Sequence, residues 1–438
     1  MTPVVLYVAE SNARQMDRAM RADVRRSGKR PREAYSEMVA SVPKKFKDSA
    51  SQAEILKVMP SYSEVQSQLS RHRQHQCTPV PDPLNIPEAL RTTLRGRELL
   101  EDDPNFKEQF LLYSGQGGRL LVFCAQTELQ VLRQSQYIVC DGTFEMCPDS
   151  AYQLYTLHGF CEGEAAPLVW ALLPNKTQGT YEEFFNSIHD AMVTNVGDTG
   201  GVHTFLVDFE LAAINALKVT FPDAMLKGCA FHFRQAILRR VQQEGLRTQY
   251  EEREDSAVRK WVKRLMSLCM LPTFAIGYAW EWLQQPPATG NASADAKLSE
   301  VAAYFGRTWI NGDFPVSLWS HYDHVGPRTT NHAEGFHSSL NSRFGVPHPC
   351  LRTFLNWLQK LQFEVQARMI QLQAGRAPKP RRQCYIDNDN RMWAAKQQYG
   401  TRIASIFTYL FPHPRAWAEF RTATEGYLDH CGHMLGLE

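Results

Sequence analysis

Two aspartates have the type and the setting that metal-dependent chemistry requires. Asp141 directly follows Ile138-Val139-Cys140, and Asp208 directly follows Phe205-Leu206-Val207. Each apolar run has the length and composition of a buried strand. Carboxylates that end neighbouring strands repel each other unless a cation lies between them, and hard oxygen ligands suit Mg²⁺ or Mn²⁺. The pair alone is not specific, because Asp-Gly after a strand is usually a turn and Asp208 could cap the following helix.

Glu334 is the third acidic candidate. It lies on a helix predicted over residues 329–343, behind a possible cap at Thr330 or Asn331. Three carboxylates could hold two metal ions about 3.5–4 Å apart, one activating a water or a 3′-hydroxyl and the other stabilising the leaving oxygen. The sequence therefore predicts catalytic and metal-binding roles for Asp141, Asp208 and Glu334.

Histidines and a cysteine accompany these acids. Cys229 and His232 form a Cys-x-x-His pair, and Cys431-Gly432-His433 offers the one candidate for a second half of a zinc site. Zinc is not expected, and a buried cysteine with a hydrogen-bonded histidine remains an alternative. His337 lies one helical turn after Glu334, where it could contact a phosphate, orient a carboxylate or have only a structural role.

Basic and aromatic residues could line a path for DNA. Each Lys or Arg that neutralises a phosphate adds about one unit to the salt dependence of binding. Tryptophans of the region 243–325 could stack on a flipped base, although a buried core position is the default for most of them. The basic candidates are Arg234, Arg239, Arg240, Lys260, Lys263, Arg264, Lys379, Arg381 and Arg382, and the tryptophans are Trp280, Trp282, Trp309 and Trp319.

The elements that must position these residues alternate in type. Strand-length apolar runs at 137–140, 152–160 and 167–173 suggest an antiparallel meander, and helix, strand, helix, strand and helix follow up to residue 243. This order is that of the RNase H-like fold, in which the first and fourth strands are neighbours. The predicted class is α/β, with a mixed five-stranded sheet flanked by helices, an all-α insertion before the Glu334 helix and a helical N-terminal region.

Composition and periodicity divide the chain into six parts. They are a basic helical N-terminal region (1–76), a proline-containing linker (77–110), the first part of the α/β core (111–242), a helical insertion (243–325), the remainder of the core with the Glu334 helix and the helix after it (326–372), and a basic linker with a helical tail (373–438).

The overall composition is that of an ordinary globular protein. Of the 438 residues, 43% are hydrophobic and 21% are charged, and the net charge is only +2. No apolar run reaches the roughly 18 residues of a membrane span, so no membrane association is expected and the chain is predicted to be intracellular. The cluster Arg25–Arg32 could be a nuclear-import signal, a phosphate-binding arm or a solvated turn.

Several motifs together resemble the transposase domain of Mutator-like elements (MULE). They are Asp141-Gly142-Thr143-Phe144, the segment Leu154–Gly159, Asp208-Phe209-Glu210, Cys229-Ala230-Phe231-His232 and the helix segment Thr330–His337. The resemblance runs from about Leu111 to Leu361. It implies an RNase H-like fold with a helical insertion, catalytic residues Asp141, Asp208 and Glu334, and supporting or DNA-contacting roles for Cys229, His232, Asn331, His337 and Arg234.

One feature common in animal members of this group is missing. Residues 50–140 resemble the stretch that follows a FLYWCH zinc finger, but Cys77 is the only cysteine before Cys124. Four zinc ligands are therefore not available there. The departure puts sequence-specific DNA binding through such a finger in doubt.

The leading hypothesis is a DDE-type transposase with two Mg²⁺ or Mn²⁺ ions, acting on transposon ends and target DNA in the nucleus. A homo-oligomer is expected, because transposases work as synaptic assemblies. The alternative is a domesticated, catalytically idle transposase fold that binds DNA or protein as a regulator. A third reading is another RNase H-like nuclease, acting on RNA–DNA hybrids or structured DNA.

Overall fold

The computed structural model describes residues 3–27, 31–75, 85–96, 108–201, 203–251, 256–344, 347–409 and 413–435. Residues 28–30 of the basic cluster, and residues 77–84 and 97–107 of the predicted linker, lie outside them. None of the described helices is both long and apolar enough to cross a membrane.

Five helices pack together at the N-terminus. They are α1 (Pro3–Ser27), α2 (Pro31–Ala40), α3 (Val42–Lys45), α4 (Ser49–Val58) and α5 (Tyr62–His75). Methionines and aliphatic residues, among them Met16, Met20 and Leu69, form a core shared by these helices. This region thus buries an apolar core of its own.

A seven-stranded mixed sheet forms the centre of the α/β region. Its strands are β1 (Leu111–Gly115), β2 (Leu120–Phe123), β3 (Tyr137–Thr143), β4 (Gln153–Cys161), β5 (Glu164–Leu173), β6 (Thr204–Val207) and β7 (Met225–Gly228). Their order across the sheet is β1-β2-β5-β4-β3-β6-β7. Strands β3, β6 and β7 are parallel, and the other neighbours are antiparallel.

The predicted α/β class with a mixed sheet is confirmed, but the predicted count of five strands is wrong. The two additional strands are β1 and β2, a hairpin that pairs with the outer edge of β5. The apolar run at 119–124 contained β2, whereas Leu111–Gly115 ends in Tyr-Ser-Gly and lacks a continuous apolar pattern. Its strand conformation depends on pairing with β2, which sequence periodicity does not reveal.

Helices cover both faces of the sheet. They are α6 (Glu88–Arg91), α7 (Gln126–Gln134), α8 (Gln178–Val196), α9 (Leu211–Thr220), α16 (Asn331–Phe344) and α17 (Leu351–Gln373). In β2, Leu120 and Val122 point into the core beneath α7, α8 and α9, and Leu121 and Phe123 point into the core beneath α6 and α17. Since both faces are buried, these strands are apolar throughout rather than alternating.

The remaining helices form a separate helical core beside the sheet. They are α10 (Ala230–Gln243), α11 (Arg247–Glu251), α12 (Ala257–Ser267), α13 (Thr273–Leu283), α14 (Ala292–Phe305), α15 (Val316–Trp319), α18 (Gln383–Tyr409) and α19 (Pro414–Met434). Helices α18 and α19 come from the region predicted as a tail, yet they contribute Tyr399, Phe420 and Leu428 to the same core as Trp309 and Trp319. The segment 247–319 and the C-terminal helices therefore pack as one helical unit.

Leu428 tests this shared core, because its side chain is fully buried. Replacing it with alanine (Leu428→Ala) should lower the free energy of unfolding by about 2–5 kcal/mol, since the change leaves a cavity between α19 and its neighbours. Urea unfolding followed by tryptophan fluorescence measures the effect. Val325→Ala is the control, because Val325 is 92% exposed and its truncation should change stability by no more than about 0.5 kcal/mol. Equal stability of both variants would contradict the shared core.

Candidate active site

Asp141 and Asp208 lie at the same edge of the sheet. Val139 of β3 pairs with Leu206 of the parallel strand β6. Asp141 and Asp208 each come two residues after this pair, so they lie side by side. Asp208 directly follows β6, as predicted. Asp141 does not end its strand: β3 continues to Thr143, and Asp141 pairs with Thr156 of β4. Its side chain is consequently more enclosed than a strand-end position implies, with 8% exposed.

Glu334 reaches this edge on the first turn of α16. The start of that helix is attached to the end of β7, where the Thr330 backbone N–H donates to the Cys229 sulfur at 3.3 Å. The backbone N–H of Ala230 donates to the Arg328 carbonyl at 2.8 Å. The Thr330 hydroxyl donates to Glu334 Oε1 at 3.2 Å. Cys229 is fully buried, so its thiol fixes the N-terminus of α16 against the sheet.

His232 lies between two of the acids. It is on the first turn of α10, with Nδ1 3.5 Å from Asp208 Oδ1 and Nε2 3.7 Å from Glu334 Oε1. Both distances exceed those of good hydrogen bonds, and the buried atoms Asp208 Oδ1 and His232 Nδ1 have no hydrogen-bond partner among the described residues. The attraction is therefore electrostatic, between an imidazole and two flanking carboxylates.

The environment raises the pKa of both Asp208 and His232. Burial raises the pKa of Asp208 to about 6, and the charges of Asp141 and Glu210 add to the rise while His232 and Lys176 oppose it. Burial alone would lower the pKa of His232, but the neighbouring Cys229 thiol and the charges of Asp208 and Asp141 raise it to about 9. The positively charged form of the His232 imidazole is thus favoured next to Asp208.

Asp141 has its own histidine. His337 Nδ1 is 3.2 Å from Asp141 Oδ2, and His337 Nε2 is 3.1 Å from the Thr156 hydroxyl oxygen. The same oxygen lies 3.1 Å from His158 Nε2, and the hydroxyl donates to the Asp141 carbonyl at 3.2 Å. A hydroxyl can donate once and accept twice, so these three contacts use its full capacity. Of the roles left open for His337, the geometry matches orientation of a carboxylate.

Thr156 and His158 were missed as site residues by the sequence reasoning, although one signal was present. They are polar residues two apart in a mostly apolar strand, so they share one face of the sheet. Both are buried, and burial lowers the pKa of His158 well below its ordinary value. A buried polar pair of this kind requires partners, which here are His337 and the Asp141 backbone.

Two other predicted residues lie at the periphery of the acids. Asn331 is exposed at the first position of α16. Arg234 is on α10, where its guanidinium donates to the carbonyls of Ala230 and Leu435. These bonds connect α10 to the end of α19, and burial lowers the pKa of Arg234. Its contacts are those of a supporting residue rather than of an exposed phosphate ligand.

Several of the other basic candidates are engaged internally. Arg264 forms a bidentate pair with Asp429, Arg240 pairs with Glu244, and Arg381 pairs with Asp389. Arg239, Lys260, Lys379 and Arg382 have exposed side chains. The indoles of Trp309 and Trp319 are buried, and those of Trp280 and Trp282 are partly buried against the same core. The aromatic rings of the insertion thus belong mainly to its core.

The three acids offer the oxygen ligands that a hard cation prefers, although Asp141 and Glu334 already have hydrogen-bonding or charged partners in the protein. Asp141, Asp208 and Glu334 offer carboxylate oxygens, and the buried Asp208 Oδ1 lacks a hydrogen-bond partner in the described part of the chain. Within the same residues, no three His, Cys, Asp or Glu side chains are close enough together to hold a metal ion. Cys431, the proposed second half of a zinc site, is buried against Met392 in the helical core.

The fold and site are those of an α/β protein with acids and histidines gathered at one edge of a mixed sheet. Residues 137–236 match the family model described as the MULE transposase domain. The predicted resemblance is thereby confirmed over a stretch that contains Asp141, Asp208, Cys229 and His232, while Glu334 lies beyond it. No curated protein and no solved structure shows a significant match to the chain.

The raised pKa of His232 predicts a titration that depends on Asp208. In metal-free buffer, NMR of ¹³C-labelled histidine should show His232 titrating near pH 9. Asp208→Asn should lower this value, because the carboxylate that favours the imidazolium is gone. The contribution of His232 to stability is present below about pH 6.5 and lost as pH rises through about 9, since the folded state binds the proton more tightly. Asp223→Asn, in the turn at the opposite edge of the sheet, is the control. An unchanged titration in Asp208→Asn would contradict the geometry.

The hydroxyl group of Thr156 should contribute more to the stability of the fold than its methyl group. Thr156→Val keeps the volume but leaves buried imidazole nitrogens without their partner, so the free energy of unfolding should fall by about 1–3 kcal/mol. Thr156→Ser keeps the hydroxyl and should be closer to wild type. Urea unfolding of the two variants makes the comparison. A serine variant as unstable as the valine variant would show that the methyl group, not the hydrogen bonds, is responsible.

Proposed function

We propose that the chain is a DDE-type transposase, or a protein derived from one, that cleaves a DNA strand and transfers its 3′-hydroxyl to target DNA. The observation that carries the proposal is that His232 lies between Asp208 and Glu334 while Asp141, held by His337, is close enough for its charge to raise the pKa of Asp208. Residues 137–236, which carry two of these acids, match the MULE transposase domain. In this proposal the three acids are the catalytic residues. Cys229, His232, His337 and Arg234 hold them in place.

The strand arrangement supports an RNase H-like core. Strands β3, β4 and β5 form an antiparallel meander, and β6 lies beside β3 as its parallel neighbour. Helices alternate with strands after β5, in the order expected for that fold. On this reading, the β1–β2 hairpin extends the five-stranded core, and the helical unit is the insertion before the Glu334 helix, completed by the C-terminal helices.

Asp141, Asp208 and Glu334 are also the residues that would hold Mg²⁺ or Mn²⁺. Two such ions supply an activated water or 3′-hydroxyl and stabilise the leaving oxygen. The protein contributes the orientation of the carboxylates: His337 and Thr156 fix Asp141, and Thr330 fixes Glu334. His232 supplies positive charge between Asp208 and Glu334 when it is protonated.

DNA is the partner that this function requires, in the form of transposon ends and target. A homo-oligomer and a nuclear location belong to the same proposal. Contact with phosphates is supported by exposed lysines at the end of α3 and just after it, Lys44, Lys45 and Lys47, and by the exposed Arg239, Lys260 and Arg382.

The contacts of the acids also favour an alternative. Asp141 is engaged by His337, and Glu334 by Thr330 and His232, so each has a protein partner. Such a site is stable without catalysis, as a domesticated regulator that binds DNA or protein would require. That reading predicts binding that is independent of the three acids.

Nicking of supercoiled plasmid tests the enzyme directly. Wild-type protein should nick the plasmid in Mg²⁺ or Mn²⁺, and Asp208→Asn should reduce the rate by at least about 100-fold, because a charged acid at the reacting centre is lost. Asp223→Asn removes a carboxylate at the other edge of the sheet and should retain full activity. Full activity in Asp208→Asn would contradict the catalytic role proposed for Asp208.

A binding measurement avoids the need for cognate DNA ends. Titration with Mn²⁺ should broaden the His232 NMR signals of the wild type through paramagnetic relaxation, and Asp208→Asn should weaken this effect. Asp223→Asn should behave as wild type. Wild-type protein that binds DNA but shows no broadening at millimolar Mn²⁺ would favour the idle regulator.

A further inference from the structure

Two exposed aromatic side chains lie in the loop that joins β3 to β4. Phe144 is 44% exposed and Tyr152 is 52% exposed. Their ring centroids are 5.5 Å apart, with the planes at 82°. Single exposed aromatic residues are common, but two that contact each other beside a candidate active site form a continuous apolar surface. Exposed rings of this kind are the elements that bind unpaired bases.

The loop that carries the rings is anchored. Met146 and Cys147, between the two aromatic residues, are buried in the core beneath α17. The His348 backbone N–H donates to the Glu145 carbonyl at 3.0 Å, and His348 Nδ1 lies 3.2 Å from the Cys147 carbonyl. Phe144 and Tyr152 therefore project from a loop that is fixed by its buried residues and by hydrogen bonds to His348. A loop that is already ordered loses less conformational entropy when it binds a ligand.

Lys176 connects this aromatic surface with the acids. Its Nζ is 4.9 Å from the centroid of the Phe144 ring and 3.1 Å from Glu210 Oε2. The charges of Lys176 and Glu210 both act on the pKa of Asp208, so the three groups are close to one another. Phe144 follows Asp141 by three residues, about 10 Å along an extended backbone. A nucleotide next to a phosphate at the acids could reach the rings.

We propose that Phe144 and Tyr152 form a stacking site for an unpaired nucleobase of the DNA strand whose phosphate lies at Asp141, Asp208 and Glu334. This inference rests on the proposed function. A base is favoured over an apolar protein partner because the surface combines aromatic rings with a lysine, which suits a base and its phosphate together. The buried indoles of Trp309 and Trp319 do not compete for this role.

The test uses the full-length chain and two DNA probes. One is a duplex with a single bulged 2-aminopurine, and the other is the same duplex fully paired. Binding is measured in Ca²⁺ by fluorescence anisotropy, with the strands checked afterwards for cleavage. The variants are Phe144→Ala/Tyr152→Ala and the conservative pair Phe144→Tyr/Tyr152→Phe. Trp393→Ala is the matched control, because Trp393 is an exposed aromatic residue on α18.

The double alanine variant should bind the bulged duplex about tenfold more weakly and the paired duplex within about twofold of wild type. Quenching of 2-aminopurine, present with wild type, should be lost in that variant and retained in the conservative pair and in Trp393→Ala. Equal weakening on both duplexes, or unchanged quenching, would overturn the inference. So would a change of oligomeric state in sedimentation without an effect on the bulge, which would identify a contact between protein chains.

The outcomes separate this inference from the proposed function. If wild-type protein nicks plasmid in an Asp208-dependent manner but the double alanine variant keeps its preference for the bulge, only the stacking site is wrong. If the wild type binds neither duplex and nicks no plasmid, both the stacking site and the proposed function are wrong. Thermal unfolding of the double variant should match wild type, because both side chains are exposed.

Discussion

Carboxylates gathered at one edge of a sheet repel one another, and the groups between them must offset that repulsion. Here the offset comes from two histidines on two helices. His232 lies between Asp208 and Glu334, and His337 contacts Asp141. Partial burial makes each interaction stronger than it would be in water, and it also makes an unpaired charge more costly. The site therefore depends on α10 and α16 keeping their positions relative to β3 and β6.

These positions are fixed by contacts between segments that are far apart in the chain. His232 lies on the first turn of α10, which begins two residues after β7 ends, so the sheet places it. Glu334 and His337 come about a hundred residues later, after most of the helical unit. The Cys229 thiol accepts the Thr330 N–H, and Gly326 lies so close to Tyr137 that an added Cβ would be 2.2 Å from its ring. A side chain at position 326 would therefore require either the Tyr137 ring or the loop that returns the chain to the sheet to move.

The helical unit contributes to the same placement from the other side. Arg328, just before α16, pairs with Asp389 of α18 at 2.6 Å, and Arg234 of α10 donates to the Leu435 carbonyl after α19. The C-terminal helices thus connect both helices that carry the site histidines. Their burial in one core with the segment 247–319 explains why these polar contacts hold, since fixed helices lower the entropy cost of each bond.

The parts of the fold that sequence could predict are those governed by local pattern. Strands β3 to β7 are short apolar runs between Gly, Pro, Asp and Glu residues, and their order indicated that Asp141 and Asp208 would be neighbours. Contacts between distant segments were not accessible in this way. The strand character of Leu111–Gly115 depends on its partner β2, and the continuation of β3 beyond Asp141 depends on pairing with Thr156.

The same limit applies to the site. Cys-x-x-His spacing identified Cys229 and His232, but it could not show that the thiol binds Thr330 while the imidazole lies between two acids. The sequence shows that Arg234 is basic, but it does not show that the guanidinium donates to main-chain carbonyls within the protein. Thr156 and His158 carried a recognisable signal, two polar residues on one face of a buried strand, whose partner His337 lies some 180 residues away.

In the proposed function, a divalent cation would compete with the histidines for the same carboxylates. The raised pKa of His232, about 9, favours a positive charge between Asp208 and Glu334, which offsets their repulsion. A divalent ion adds more charge at the same oxygens and disfavours the protonated ring. Glu334 is 37% exposed on the first turn of α16, where the helix N-terminus favours a negative charge. Asp141, enclosed by His337 and Thr156, stays fixed. This edge thus combines an enclosed carboxylate, Asp141, with a more exposed one, Glu334, and the imidazole between Asp208 and Glu334 offsets their repulsion.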